Sequence, residues 1–310
     1  MKALFLGATG LIGSQILKYI QKQEKFENIF CFTRQKIPSN SKTFFITYNS
    51  SNTDLELKIT EVVNQNQKDK WIIYLFTGET IFGLINDKKW ENIYKSRVLI
   101  NQKIVSVLEK LGANIEKIFS ASAIGIYYNS KTQEVDENSE IQPNILTNLI
   151  TEWENTVLQS PFKEKSIILR IGAVLDKKSK VYQSLILPSL FSIGINFKPT
   201  SFFPWIYNEE IPLILDYLLN QDFNGIVNTV ANNTTYKEFL EIFIQKKSIL
   251  KKAFIIDIDK KFLEKILKIL MPKYYEITYS LFSSPKINSI YLKNYNFKFS
   301  NIEEAIEKYL

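Results

Sequence analysis

The stretch GATGLIG, residues 7–13, lies near the start of the chain between a short apolar run and a helical pattern. A glycine at every third position in that context favours a nucleotide-binding turn over an ordinary strand-to-helix turn. The first glycine permits a tight turn, the second lets a pyrophosphate approach the backbone, and the third lets the helix pack on the strand. A helix that begins here also directs free backbone N–H groups at the phosphates. The residues predicted to contact the nucleotide are Gly7, Thr9, Gly10, Leu11, Ile12 and Gly13.

Short, continuously apolar runs alternate with longer helical patterns through the first half of the chain. The runs are KALFLG, NIFCFTR, TFFITY, WIIYLFT and IEKIFSASA, and two more follow at 165–171 and 225–231. Strands separated by helical crossovers form parallel βαβ units, and continuously apolar strands are typical of a sheet that is covered on both faces. The pattern therefore predicts the α/β class, with a Rossmann-type, doubly wound parallel sheet and a smaller C-terminal substrate lobe.

We expect two unequal parts in the chain. Residues 1–172 are predicted to form the nucleotide-binding domain, to whose sheet the strand at 225–231 returns. The segments 173–224 and 232–310 are assigned to a smaller lobe on the substrate side. In a doubly wound sheet such a lobe covers the carboxyl ends of the strands, which is where ligands bind.

Composition excludes several kinds of site and partner. The chain has no histidine and a single cysteine, Cys31, so histidine acid/base catalysis and the common zinc sites are ruled out. Cys31 is expected to pack in the core of a protein from a reducing compartment. The 39 basic residues, which give a net charge of +7, are spread along the chain, so we expect no nucleic-acid partner. No run approaches the roughly 18 apolar residues of a membrane helix, and the apolar start lacks a cleavage site, so we expect no membrane partner and a cytoplasmic location.

The end of the second predicted strand bears on cofactor choice. An acidic residue there, about 20 positions beyond the glycine loop, binds the ribose hydroxyls of NAD. This chain instead reads CFTRQK, with Thr33 and Arg34 and no acid. An arginine matches a 2′-phosphate by charge and by its planar set of donors, although an ordinary surface arginine is the alternative. We therefore predict NADP(H) rather than NAD(H).

Six further motifs extend the pattern to most of the chain. They are LFTGETIFG (75–83), KKWENIYKSRVLINQKIV (88–105), SASAIGIYY (120–128), TEWE (151–154), LRIGAVLD (169–176) and FPWIYNEE (203–210). Their order and spacing, together with the GxxGxxG loop, resemble the atypical extended short-chain dehydrogenases, in the epimerase-family subgroup. That subgroup includes proteins labelled as nucleoside-diphosphate-sugar epimerases or as SulA-like cell-division-inhibitor homologues.

The resemblance implies that cofactor contacts lie at the ends of successive strands and on the helix after the fourth. Arg97 falls on that helix, where many relatives carry an asparagine. The other residues implied in the cofactor site are Phe76, Thr77, Gly78, Ser120, Ala121, Arg170 and Gly172. Ser122, which ends the fifth strand, is the single candidate for a catalytic contact with a reacting oxygen.

A tyrosine and a lysine four residues apart, Tyr127 and Lys131, imitate the catalytic pair of short-chain dehydrogenases. We predict that they are not that pair, because they lie in a polar stretch too soon after Ser122 for a helix to have begun. Counting back from the acid of TEWE places the pair's positions at Leu146 and Ile150, which cannot transfer a proton.

The late motif departs from the resembling proteins. They usually carry SWIH followed by two acids, whereas this chain has Tyr207 in place of the histidine, and a tyrosine is no base at neutral pH. Glu209 and Glu210 follow soon after, either as substrate ligands or as a solvated or capping pair.

These observations leave two functions open. The first is an NADP(H)-dependent oxidoreductase or epimerase acting on a small carbonyl, hydroxyl or sugar-nucleotide substrate. The alternative is a non-catalytic NADP(H)-binding sensor or scaffold. Helices resembling 88–111 and 144–159 often pair in extended relatives, so we expect a monomer or a homodimer.

Overall fold

The computed structural model describes residues 1–49, 52–128, 130, 134–196, 202–280 and 285–309. In chain order its strands are Lys2–Leu6 (β1), Asn28–Thr33 (β2), Thr43–Thr47 (β3), Trp71–Leu75 (β4), Ile115–Ala123 (β5), Glu134–Val135 (β6), Ser166–Ile171 (β7), Ala173–Leu175 (β8), Ile193–Asn196 (β9), Phe202–Tyr207 (β10), Gly225–Thr229 (β11), Asn232–Thr235 (β12), Phe254–Asp257 (β13) and Lys286–Ile287 (β14).

The α-helices in chain order are Leu11–Ile20 (α1), Asn52–Asn64 (α2), Asp87–Tyr94 (α3), Ile100–Lys110 (α4), Ile145–Leu158 (α5), Lys180–Leu190 (α6), Glu210–Leu219 (α7), Tyr236–Lys247 (α8), Lys260–Leu270 (α9), Tyr275–Ser280 (α10) and Ile302–Tyr309 (α11). A π-helical turn, Lys95–Leu99, joins α3 to α4, so the segment from Asp87 to Lys110 is helical throughout but not uniformly α. Short 3₁₀ turns lie at Ile124–Tyr127 and Lys163–Lys165.

Seven parallel strands form the main sheet in the order β3-β2-β1-β4-β5-β7-β11. The chain moves outward in one direction from β1 and then in the other from β4, so the crevice at the carboxyl ends of β1 and β4 is the expected ligand site. Every residue of β1, β4 and β7 is buried, which explains why these strands are mostly apolar. The predicted fold class, a doubly wound α/β sheet, is confirmed.

The two faces of the sheet hold separate apolar cores. Phe5 of β1 faces the core that contains α1 and α7, whereas Leu4 and Leu6 face the core that contains α2 and α4. Successive residues of a strand point to opposite faces, so one strand supplies both cores. The sheet is therefore covered on both sides.

The remaining strands form small sheets beyond the main one. Strands β8, β10 and β12 form one, β9 and β13 a second, and β6 and β14 a third. A third apolar cluster centres on Trp205, Phe239, Phe243 and Phe299. Helix α7, within the segment 173–224, nevertheless contacts α1, and the Tyr19 hydroxyl donates to Asp216 at 3.2 Å. The division of the chain into a nucleotide-binding domain and a substrate lobe stays a prediction.

Candidate functional site

The glycine loop connects β1 to α1 at the centre of the sheet. Gly7 has φ +86°, and a Cβ there would lie 2.3 Å from the carbonyl oxygen of Phe76. A Cβ on Gly13 would lie 2.0 Å from the carbonyl oxygen of Gly7. The fold itself therefore requires these two glycines. Gly10 is different, since it is exposed and its Cβ would meet only the Gly7 oxygen, at 3.2 Å. The fold therefore constrains Gly10 less than it constrains Gly7 and Gly13.

The start of α1 is open to a ligand. Gly10 is its N-cap and offers no side chain to the first turn, in which there is no acidic residue. The first backbone N–H groups of a helix have no intrahelical acceptor, and here they carry the partial positive charge of the helix. Thr9 is exposed, and Leu11 and Ile12 are half-buried. This geometry suits the binding of an anion such as a phosphate.

Asn208, which follows β10 in the late motif, forms a hydrogen bond to this loop. Its Nδ2 donates to the carbonyl oxygen of Leu11 at 3.0 Å and to Oδ2 of Asp176 at 2.7 Å. Asn208 is buried, and its Oδ1 has no hydrogen-bond partner among the described residues. Sequence reasoning had named Asn208 only as part of a divergent motif. The signal in the sequence is an amide that directly follows an apolar run and precedes two acids.

Thr33 is the last residue of β2, and Arg34 follows it directly. Thr33 is buried, and its Oγ1 accepts a hydrogen bond from the backbone N–H of Gln35 at 3.1 Å. Arg34 is exposed and forms no ion pair within the described ranges. Burial raises the pKa of Tyr48, and the charge of Arg34 opposes that rise, so the guanidinium lies near this hydroxyl. The edge of the site beyond β2 is therefore cationic.

Phe76, Thr77 and Gly78 follow β4 at the same edge of the sheet. The Arg97 guanidinium covers Gly78, since a Cβ on that glycine would lie 3.1 Å from Cζ of Arg97. The Thr77 Oγ1 is buried and has no hydrogen-bond partner in the described part of the chain. A buried hydroxyl without a partner is rare in proteins, so this atom is a candidate for a hydrogen bond to a ligand.

Arg97 occupies the π-helical turn between α3 and α4. Its guanidinium lies 5.2 Å from the centre of the Trp153 ring, and its Nη1 is 3.5 Å from the carbonyl oxygen of Ile93. Burial lowers the pKa of Arg97 to about 10, and the charge of Glu79 partly opposes this. The residue stays a cation at neutral pH, and within the described ranges it has no carboxylate at ion-pair distance.

Ser122 ends β5 inside a buried polar network. Its hydroxyl donates to Oε1 of Glu154 at 2.6 Å, and Arg170 binds both oxygens of that carboxylate at 2.7 Å. Ser122 and Arg170 are register partners on β5 and β7, which places both on one face of the sheet. Because the single proton of Ser122 goes to Glu154, the hydroxyl offers a ligand only its lone pairs unless that bond opens.

The same network contains Tyr127, in the 3₁₀ turn after β5. Nη1 of Arg170 donates to the Tyr127 hydroxyl at 2.5 Å, and that hydroxyl donates to Oδ1 of Asn228 at 3.1 Å. Burial raises the pKa of Tyr127, and Arg170 partly opposes the rise. The tyrosine therefore stays protonated and is held inside the network. Lys131 lies outside the described residues.

The two positions expected for the catalytic tyrosine and lysine lie on α5. Leu146 and Ile150 are buried against the turn that follows β5, where a Cβ on Gly125 would lie 3.4 Å and 3.7 Å from their side chains. Asn144 caps the helix by accepting from the backbone N–H groups of Leu146 and Thr147. Apolar side chains thus occupy the two positions at which the resemblance places the catalytic tyrosine and lysine.

The remaining predicted residues lie at the carboxyl edge of the sheet. Ser120 is buried, and its Oγ is 3.4 Å from Nδ2 of Asn101. Gly172 directly follows β7, and a Cβ there would lie 3.0 Å from the carbonyl oxygen of Pro204. The side chain of Arg170 is used by Glu154 and Tyr127, so a cofactor contact from this residue would come from its backbone.

The late motif has a structural role at Glu210. This carboxylate is buried and accepts from the Tyr295 hydroxyl at 2.8 Å and from the backbone N–H groups of Lys298 and Phe299 at 3.3 Å and 3.1 Å. Tyr207, in the place of the relatives' histidine, packs on Phe299 with ring centres 4.9 Å apart. Glu209 is exposed. The motif thus anchors the C-terminal segment to the start of α7.

Two negative findings apply to the described residues. None of their helices is both long and apolar enough to cross a membrane. They also contain no cluster of three or more histidine, cysteine or acidic side chains that could hold a metal ion.

The strand order and the glycine loop define a Rossmann-type α/β fold. Residues 3–148 match the family described as NAD dependent epimerase/dehydratase. Together with the whole-chain fold, this match confirms the resemblance predicted from the motifs.

Curated relatives and solved structures show the same similarity. The chain is 29% identical over 161 residues to the chloroplastic epimerase family protein SDR39U1 homolog of Arabidopsis thaliana. The matched region is 49% of this chain and 46% of the relative. An epimerase family protein of Staphylococcus aureus is 25% identical over 238 residues, 74% of each chain. The structure of human epimerase family protein SDR39U1 with NADPH superposes with a TM-score of 0.77 at 20% identity, covering 100% of this chain and 99% of that one. A dTDP-glucose 4,6-dehydratase from Bacillus anthracis in complex with NAD gives 0.70 at 14% identity, covering 100% and 95%.

Proposed function

We propose that this chain binds NADP(H) and acts as an oxidoreductase or epimerase on a small carbonyl, hydroxyl or sugar-nucleotide substrate. The observation that carries the proposal is the open start of α1 above the glycine loop, with the exposed cation Arg34 at the end of the neighbouring strand β2. The human relative whose structure contains NADPH supports the choice of cofactor.

The residues present fit a dinucleotide with a 2′-phosphate. The N–H groups at the start of α1 would hold the pyrophosphate, and Gly10 leaves room for its approach. Arg34 would pair with the 2′-phosphate, because a guanidinium binds phosphate oxygens through two parallel hydrogen bonds. Thr77 has an unused hydroxyl for a ribose oxygen. Thr33, Phe76 and Gly78 complete this side of the proposed site.

The chemistry must differ from that of conventional relatives. Bound nicotinamide supplies or accepts a hydride, but Leu146 and Ile150 cannot supply the proton that usually accompanies it. We assign to Arg97 the stabilisation of negative charge on the substrate oxygen, since its guanidinium lies beside Gly78 without a paired carboxylate among the described residues. Ser122 is assigned a contact with the reacting oxygen, which requires its bond to Glu154 to open.

A second function, a non-catalytic NADP(H) sensor or scaffold, is favoured by one specific observation. The hydroxyls nearest the end of β5, those of Ser122 and Tyr127, both give their protons to buried partners, and α5 presents only apolar side chains there. Such a site holds a nucleotide without a ready proton donor.

Two measurements separate these functions. Titration of the purified protein with NADPH and NADH, followed by fluorescence, tests cofactor binding, and equal affinities would contradict the role of Arg34. Incubation with NADPH and a panel of aldehydes, ketones and sugar nucleotides, with products identified by mass spectrometry, tests catalysis. Tight NADPH binding without turnover on any member of the panel would favour the sensor or scaffold.

A further inference from the structure

The two-stranded sheet formed by β9 and β13 shows an apolar face to solvent. Phe254 pairs with Ile193 and Ile256 pairs with Ile195, so these four side chains lie together on one face. All four are exposed, by between 42 and 58%. The other face is covered, because a Cβ on Gly194 would lie 2.6 Å from the Ile244 side chain of α8. The outward face thus has no partner within the described chain.

Two residues separate the end of β13 from the start of α9, and α9 also exposes apolar side chains. Its exposed large side chains are Phe262, Ile266, Ile269 and Leu270, a spacing that places them in one stripe along the helix. Leu263 and Leu267 face the protein core instead. Ile249 and Leu250, just before β13, are exposed by 83% and 65%. We call the exposed stripe of α9, together with Lys261, Lys265 and Lys268 beside it, the basic apolar face.

Positive charge is concentrated in the same part of the chain. Residues 246–273 contain nine lysines and three acidic residues, a net charge of +6, whereas the whole chain carries +7. Three of these lysines have carboxylate partners, namely Lys246 with Glu303 and Glu307, Lys268 with Glu264, and Lys273 with Asp87. Lys251, Lys252, Lys261 and Lys265 are exposed and form no ion pair within the described residues. The charge is therefore available to an external anion.

We propose that the basic apolar face binds the surface of an anionic lipid bilayer. An interfacial helix combines an apolar stripe, which enters the boundary between headgroups and acyl chains, with lysines that attract anionic headgroups. In α9, Lys261, Lys265 and Lys268 run along one side of the exposed apolar stripe, which is that arrangement. Such binding needs no helix that crosses the membrane, and it revises the sequence-based expectation of no membrane partner.

Two other occupants fit less well. A second copy of the chain would bring two faces of like charge together, and lysine is depleted in protein–protein interfaces. A nucleic acid would meet the lysines, but isoleucine and leucine side chains have no ring on which bases can stack. The combination of aliphatic side chains and lysines is best matched by a lipid surface.

The test is flotation of the full-length protein with two kinds of vesicle. One kind is phosphatidylcholine alone, and the other is phosphatidylcholine and phosphatidylglycerol in equal parts. We expect binding to the anionic vesicles, little to the neutral ones, and weakening with added salt. Absence of binding to the anionic vesicles would overturn the proposal.

Paired variants locate the interaction. Phe262→Glu with Ile269→Glu should abolish flotation, whereas Leu57→Glu, at an equally exposed leucine on α2, should leave it unchanged. Lys261→Gln with Lys265→Gln should weaken it by about tenfold or more, whereas Lys18→Gln with Lys22→Gln should not. Equal losses in the control variants would refute a localised face. NADPH affinity, measured alongside, checks that each variant is folded.

Sedimentation of the protein without lipid tests whether a second copy of the chain, instead of a lipid surface, occupies the basic apolar face. A monomer whose sedimentation is unaffected by Phe262→Glu with Ile269→Glu supports the lipid assignment. A dimer that this double variant dissociates would replace that assignment with self-association.

Discussion

The hydroxyl of Ser122 donates to the carboxylate of Glu154 across 2.6 Å, on the residue pair that joins β5 to α5. Glu154 also holds Arg170, with both partners of this ion pair almost fully buried. The residue that family resemblance assigns to the reaction centre is therefore also part of the packing between the sheet and α5.

Glu154→Gln should destabilise the protein far more than Ser122→Ala. The first leaves the buried Arg170 without a counter-charge and should cost about 3–5 kcal/mol, whereas the second removes one hydrogen bond and should cost about 1 kcal/mol. Urea unfolding measures both. Glu152→Gln, at an exposed neighbour that accepts from the Tyr94 hydroxyl, is the control and should change stability little.

Tyr127→Phe should lower stability without affecting the nucleotide. It removes the hydroxyl that bonds Arg170 and Asn228, and leaving these buried groups without a partner should cost about 1–3 kcal/mol. NADPH affinity and any turnover should stay within about twofold of the unsubstituted protein. A loss of turnover above about tenfold, at unchanged NADPH affinity, would show that this tyrosine takes part in the reaction.

The three glycines of the loop should separate into two groups. Gly7→Ala and Gly13→Ala introduce a Cβ within 2.3 Å of backbone atoms, so thermal unfolding should show losses of about 2 kcal/mol or more. Gly10→Val should retain the fold but lose NADPH binding in a fluorescence titration. If Gly10→Val kept the original affinity, the phosphates would bind elsewhere.

Arg34→Ala should reduce the preference for NADPH over NADH. Loss of a charge-assisted pair with the 2′-phosphate should weaken NADPH binding by about tenfold to a hundredfold and leave NADH binding almost unchanged. Lys36→Ala, at an exposed cation two residues on, is the matched control. A similar effect in both variants would indicate general electrostatic attraction instead of a specific contact.

Cys31 should make stability fall in alkaline solution. Burial raises the pKa of Cys31 to about 12, whereas an unfolded thiol ionises near pH 8.5. Between these values the unfolded state releases a proton that the folded state keeps, so the contribution of this thiol to stability declines by about 1.4 kcal/mol per pH unit. The difference in unfolding free energy between the protein and its Cys31→Ala variant, followed from pH 8 upward as the unfolded thiol ionises, measures it. A constant difference would contradict the assignment.

The fold was predictable because its signals are local. Continuously apolar strands, the glycine loop and the helical patterns each depend on neighbouring residues, and Arg34 follows from its distance to that loop. The π-helical turn at Arg97 was not predictable, since the sequence there reads as ordinary helix. The contacts of Glu210 and Asn208 were also missed, because they join residues about 90 and 200 positions apart, and no pattern within one segment records such a pairing.

The contacts of the late motif also determine which hydrogen bonds can form only late during synthesis. Asn208 closes the loop that begins at residue 7, and two positions later Glu210 takes its partners from residues 295–299. Contacts between segments so far apart form only after the intervening chain exists. In the nascent chain the glycine loop therefore lacks its hydrogen bond from Asn208 until residue 208 has emerged, and Glu210 lacks these partners until residues 295–299 follow.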